Sequence, residues 1–192
     1  ISGNCNEDIV VDGHVGLTLV GNAGASISAT VFDPNDPGSS TTALAINASN
    51  VTVQDLTLNG GANGAVCENR STCIFRDVTV QGGHNGLGAQ GQSAIDIIGA
   101  SSIVDSLNTG VGAYGASSIN IRPTWANGFD GTELGPVISG HGEFGAFAQD
   151  GSFLRADSVT FSGNATGVWA QRNATIKIFA NQSGASVSDN WN

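Results

Sequence analysis

The sequence has no methionine, one tyrosine, three tryptophans, four prolines, three cysteines and six basic residues. Each shortage narrows the field. Six Lys and Arg against sixteen Asp and Glu give a net charge of −10, which argues against nucleic acid, since phosphate backbones need a basic stripe. The same balance argues against capture of polyuronides by overall charge. Such a polymer would have to be held by calcium or by a local basic strip. No apolar run approaches the length of a membrane span. Without methionine, Ile1 is not an initiator, and removal of a signal peptide, pro-segment or larger parent chain is expected. Three cysteines cannot all pair within one chain. The residue pattern favours buried thiols at Cys67 and Cys73 over a bridge between them, and leaves Cys5 to pair elsewhere. The composition points to an extracellular or cell-surface protein.

What is abundant is glycine, 28 residues of it, and the glycines take part in a repeat. The stretch Thr109–Ile121, TGVGAYGASSINI, defines the repeat, with Ala113 as its anchor. Equivalent anchors are Val11, Ala45, Cys67, Ala89, Ala148 and Ala170. Two residues before each anchor, and six and eight after it, the residue is apolar or small, as in Val111, Ile119 and Ile121. Two after it stands Gly13, Asn47, Asn69, Gly91, Gly115, Asp150 or Arg172. Side chains two apart on a strand share a face, so each copy encodes two short strands with inward apolar pairs. The Gly/Asn/Asp position between them suits a turn through left-handed backbone. A period in this range, with no room for a helix, specifies a β-solenoid in which each rung is buried by its neighbours. The expectation is one all-β domain over residues 1–192, a single-stranded right-handed parallel β-helix of about seven rungs, handed by the general crossover rule. Loops are expected near 32–42 and 122–141, where the period is interrupted.

This pattern, with the opening ISGNCNEDIVVDGHVGLTLVG, resembles the right-handed parallel β-helix of the pectate-lyase-like superfamily over essentially the whole chain. The resemblance implies three sheets per rung and asparagine stacking at one turn, here Asn47 and Asn69. It leaves the activity open, because the fold carries lyases, hydrolases, tailspikes and adhesins. Two function classes follow. One is a module interacting with polysaccharide, as a lyase, a glycoside hydrolase or a binding domain. The other is a non-catalytic structural or adhesive solenoid, whose ends and faces are candidate surfaces for self-association.

The repeat also fixes which side chains point outward. One position before the anchor, the column reads Val10, Leu44, Val66, Gly88, Gly112, Phe147, Trp169. One after it, Tyr114 is followed by Gln149 and Gln171. Tyr114, Phe147 and Trp169 beside two amides suit sugar rings, whose C–H faces stack on π-systems. Trp125, in the second loop, and Arg172, at a turn, join them as substrate-binding candidates. On the next strand Arg155 and Lys177 are adjacent, forming a basic strip whose members are candidate bases for β-elimination. Gly140-His141-Gly142 matches the GHG motif of polygalacturonases, but their paired aspartate motifs and Arg-x-Lys have no counterpart here. His141, Asp130 and Glu133 are the loop's acid/base candidates. Asp55 and Asp77 occupy equivalent positions on consecutive rungs and are the candidate ligands for a calcium cofactor.

Overall fold

The computed structural model describes residues 1–30, 41–124 and 135–179, together with the backbone of Ser186–Ser188. Trp125, Asp130 and Glu133 lie outside the described residues, as do residues 32–40 of the first expected loop and 125–134 of the second. The described residues form strands and turns without a helix, wound as a right-handed parallel β-helix of about seven rungs. Each full rung gives one strand to each of three sheets.

Sheet A contains β1 (Asn4–Asn6), β4 (Ser26–Ser28), β7 (Thr57–Asn59), β10 (Thr79–Gln81), β13 (Ser102–Val104), β16 (Val137–Ser139), β19 (Thr160–Ser162) and β22 (Ser186–Ser188). Sheet B contains β2 (Ile9–Asp12), β5 (Thr42–Asn47), β8 (Asn63–Glu68), β11 (Asn85–Ala89), β14 (Thr109–Ala113), β17 (Phe144–Ala148) and β20 (Thr166–Ala170). Sheet C contains β3 (Val15–Val20), β6 (Asn50–Gln54), β9 (Thr72–Arg76), β12 (Ala94–Ile98), β15 (Ser118–Arg122), β18 (Phe153–Asp157) and β21 (Thr175–Phe179). Inward side chains stack in columns down the rod. In sheet A, Ile27, Leu58, Val80, Ile103, Ile138 and Phe161 are all fully buried. In sheet C, Val51, Cys73, Ile95, Ile119 and Leu154 form one such column and Val53, Phe75, Ile97, Ile121 and Ala156 the next. A rung has almost no core of its own, so these columns are what make stacking favourable.

The register departs from the sequence pattern in one rung. Val11 pairs with Ile46, and Ile46 with Cys67, so Ile46 is the anchor of the second rung and Ala45 faces out. Both faces of Thr42–Asn47 carry apolar residues, and the pattern alone does not choose between them. The fold buries the larger pair, Leu44 and Ile46, and shortens the following turn by one residue, with Ala48 at φ 46°. Leu44 therefore leaves the outward column, which reads Val10, Ala45, Val66, Gly88, Gly112, Phe147, Trp169.

The cysteines also differ from expectation. Cys67 and Cys73 form a disulfide across the turn between sheets B and C, with Cα atoms 6.4 Å apart. Their inward positions on facing sheets of one rung bring both side chains to the same point in the core. Cys5 is free, half-buried, with its Sγ 3.2 Å from Glu7.

Polar ladders lock the turns. Asn69 donates to Asn47 (2.6 Å), which donates to Asp12 (2.7 Å), so the expected asparagine stack is present. Beside it runs a buried serine ladder. Ser49, Ser71, Ser93, Ser117 and Ser152 each accept, through Oγ, the backbone N–H of the equivalent residue one rung earlier, at 3.0–3.2 Å. The first donor in that series is His14. At the corner between sheets A and B the chain packs so closely that a Cβ on Gly110 would lie 2.7 Å from the Gly145 carbonyl and also against the His141 ring.

Candidate functional site

Sheet B presents three outward columns. The first is Thr42, Asn63, Asn85, Thr109, Phe144 and Thr166; the second is the corrected column ending in Phe147 and Trp169; the third is Asp12, Asn47, Glu68, Gln90, Tyr114, Gln149 and Gln171. Alternation puts the second and third columns on one face. The first, three residues before the second, joins them where Asn63, Asn85 and Thr109 line the same hollow as Gly88 and where Phe144 meets Phe147 and Trp169.

Two consecutive glycines, Gly88 and Gly112, leave a notch in the middle column. A hollow of about 170 Å³ opens there, lined by Asn63, Asn85, Gly88, Gln90, Thr109 and Tyr114. A second hollow, of about 340 Å³, shares Asn63 and Gln90 with it and runs over Val10, Ala45 and Val66 between Asp8 and Glu68. The two make one groove along the rod, with a floor of glycine and small apolar residues and walls of amides, hydroxyls and carboxylates.

An aromatic cluster closes the C-terminal end of the groove. The Tyr114 ring folds over Gly112, in space that a Cβ there would fill, and its hydroxyl bonds to Thr109 in the first column. Burial pushes the Tyr114 phenol above its ordinary value, with the Thr109 bond acting the other way. Phe147 lies 5.7 Å from Tyr114 and stacks on Phe144 at 5.0 Å; Phe144 meets Trp169 at 6.1 Å. The structure thus brings the three expected aromatics together and adds Phe144. They are unequal partners for a ligand, because Phe147 is only 8% exposed whereas Trp169 is 49% exposed. Next to them Gln171 donates to Gln149 at 3.0 Å, and Arg172 pairs with Asp150 at 3.5 Å on the adjoining turn.

The remaining candidates lie elsewhere. Arg155 and Lys177 are neighbours as expected, but on sheet C, a different face from the aromatics. Arg155 pairs with Asp157 at 2.8 Å and packs over Phe179, and Lys177 sits 5.8 Å from the Phe153 ring centroid. Arg122 pairs with Asp96 on the same sheet. His141 is 1% exposed at the corner between sheets A and B. Its Nδ1 accepts from the Ser106 N–H (3.2 Å) and its Nε2 lies 3.1 Å from the Ile103 carbonyl, while its own N–H bonds to Asn164. Burial lowers its pKa, only partly countered by Ile103 and Asp105. Both ring nitrogens tie rungs together and neither faces a groove. Asp55 and Asp77 sit at equivalent turns, both with left-handed backbone. Asp55 accepts from Gln54 and Asp77 caps the Ala100 N–H at 2.8 Å. Among the described residues no group of three or more His, Cys, Asp or Glu side chains converges, at these two positions or elsewhere.

Asn63, Asn85, Gln90, Thr109 and Glu68 line the groove, and Phe144 joins the aromatic cluster at its end, without having been singled out by the repeat. The signal was available in the glycine pair of the outward column and in Asn63 and Asn85, which recur 22 residues apart. No protein-family model, curated protein or solved structure matches this chain.

Proposed function

We propose that this protein is an extracellular β-helix module that holds a polysaccharide along the outer face of sheet B. The observation that carries the proposal is the exposed Trp169, backed by Phe144, Phe147 and Tyr114, at the end of a groove walled by Asn63, Asn85 and Gln90. An aromatic ledge takes the C–H face of a pyranose, while amides exchange hydrogen bonds with its hydroxyls. The parallel rungs repeat these groups at about 4.8 Å intervals, a spacing suited to an extended chain. The Cys67–Cys73 bridge supports an oxidising compartment, and the repeat's resemblance to the pectate-lyase-like superfamily supports membership there. Binding rather than cleavage is the favoured activity, since Arg155, Lys177 and His141 stand away from the groove. The test is incubation with a panel of neutral and charged polysaccharides, reading both retention and new chain ends. Retention without new ends is expected; cleavage would make it a lyase or hydrolase. A protein that neither retains nor cuts any polymer would be a structural solenoid, a reading favoured by the serine ladder that stiffens every turn from Ser49 to Ser152.

A further inference from the structure

Resting on the sheet B reading above, we infer that the groove selects glycans bearing free amino groups, with a sugar ammonium seated on Glu68. None of the seven strands of sheet B contains a Lys or Arg. Its charged residues are carboxylates, Asp12 and Glu68 in the strands and Asp8 at the groove's edge. Asp12 accepts from Asn47, and both carboxylate oxygens of Asp8 accept from Thr30. Glu68 differs. It is half-buried, lines the groove between Val66 and Gln90, and its carboxylate takes part in no ion pair or hydrogen bond among the described residues. Three arginines are already matched to aspartates, Arg122 to Asp96, Arg155 to Asp157 and Arg172 to Asp150, all outside the groove. Arg70, on the turn after Glu68, directs its Nε to Gln92 in a separate hollow.

The groove is therefore an amide-walled trough of one charge sign with one uncommitted carboxylate. A polyuronide laid in it would put carboxylates against Asp8 and Glu68 without a compensating cation, and repulsion between like charges rises as water is displaced. A neutral glycan meets only the amides and aromatics. An amino sugar adds a charge-assisted hydrogen bond to Glu68, which is shorter and stronger than a neutral one.

The experiment is calorimetric titration of the full chain at low ionic strength and mildly acid pH. The probes are four oligosaccharides of equal length: fully deacetylated chitin oligomer, its N-acetylated counterpart, a cello-oligomer and an oligogalacturonate. The deacetylated oligomer should bind at least tenfold more tightly than the two neutral ones, with oligogalacturonate weakest. Glu68→Gln should remove that preference, so that the deacetylated and N-acetylated oligomers bind that variant alike. Asp105→Asn, which removes a charge outside the groove, should keep it. Equal or tighter binding of the N-acetylated oligomer, an undiminished preference in Glu68→Gln, or equal erosion by Asp105→Asn would overturn the inference while leaving glycan binding in place. Failure of every oligomer to bind would overturn both.

Discussion

Ser71→Ala tests whether the serine ladder holds the rungs together. Ser71 Oγ accepts the Ser49 N–H at 3.0 Å and donates to the Glu68 carbonyl at 2.6 Å, in a side chain 1% exposed. Truncation leaves the Glu68 carbonyl with another donor, the Ala48 N–H at 3.3 Å. The Ser49 N–H has no such substitute, and its residue is 5% exposed, so water does not readily replace the lost acceptor. An orphaned buried donor costs about 1–3 kcal/mol. We expect a loss near the middle of that range, about 2 kcal/mol, which in a chain of this size is a fall in Tm of roughly 4–8 °C. Urea unfolding followed by far-UV circular dichroism, with the disulfide intact, measures it. Ser118→Ala, on an exposed position of β15, serves as the control and should stay within about 0.5 kcal/mol of the parent. A Ser71→Ala protein as stable as that control would refute the ladder's energetic role.

Three further outcomes follow from the same structure. His141 has a pKa depressed by burial, so the unfolded chain takes up its proton first as pH falls below about 6.5. The stability it contributes is present above that value and lost as pH falls through its folded pKa; His141→Asn should flatten this part of the urea-midpoint profile between pH 7.5 and 5.5. Reducing Cys67–Cys73 opens a loop of sequence separation 6, and loop-closure entropy puts the cost at roughly 2 kcal/mol, readable as the urea midpoint with and without dithiothreitol. Phe147→Ala should destabilise by about 3 kcal/mol because the ring is buried, so a binding defect in that variant has to be separated from unfolding by circular dichroism.

The repeat was legible because a parallel β-helix places equivalent residues in register, and six of seven anchors pair as the spacing implies. The exception, Ala45 against Ile46, sits where Ala43, Leu44, Ala45 and Ile46 are all apolar, and only the volume available inside the rung decides between them. The disulfide was not legible for a related reason: apolar inward positions suit thiols and a bridge equally, and the distance between them is set by the turn. Outward neighbours such as Phe147 and Trp169 were correctly placed side by side. The burial of Phe147 was not, because Tyr114 and Phe144 fold onto it through rotamers that no spacing encodes, whereas Trp169 is exposed as expected. The burial of His141 was not legible either: a Gly-His-Gly triplet says nothing of burial, and here the imidazole bonds to Ser106 and Ile103 of the preceding rung. The clearest unread signal was the loss of side chains at Gly88 and Gly112, which marks the groove as plainly as the aromatics mark its end.

The central claim, that sheet B carries a glycan with Trp169 as its ledge, is tested most directly by titrating parent and Trp169→Ala proteins with the oligosaccharide bound best. Trp169 is half exposed, so its removal should leave the unfolding midpoint nearly unchanged while weakening binding about tenfold, the factor that 1.4 kcal/mol of lost stacking represents. Equal affinity of the two proteins, at equal stability, would contradict the account.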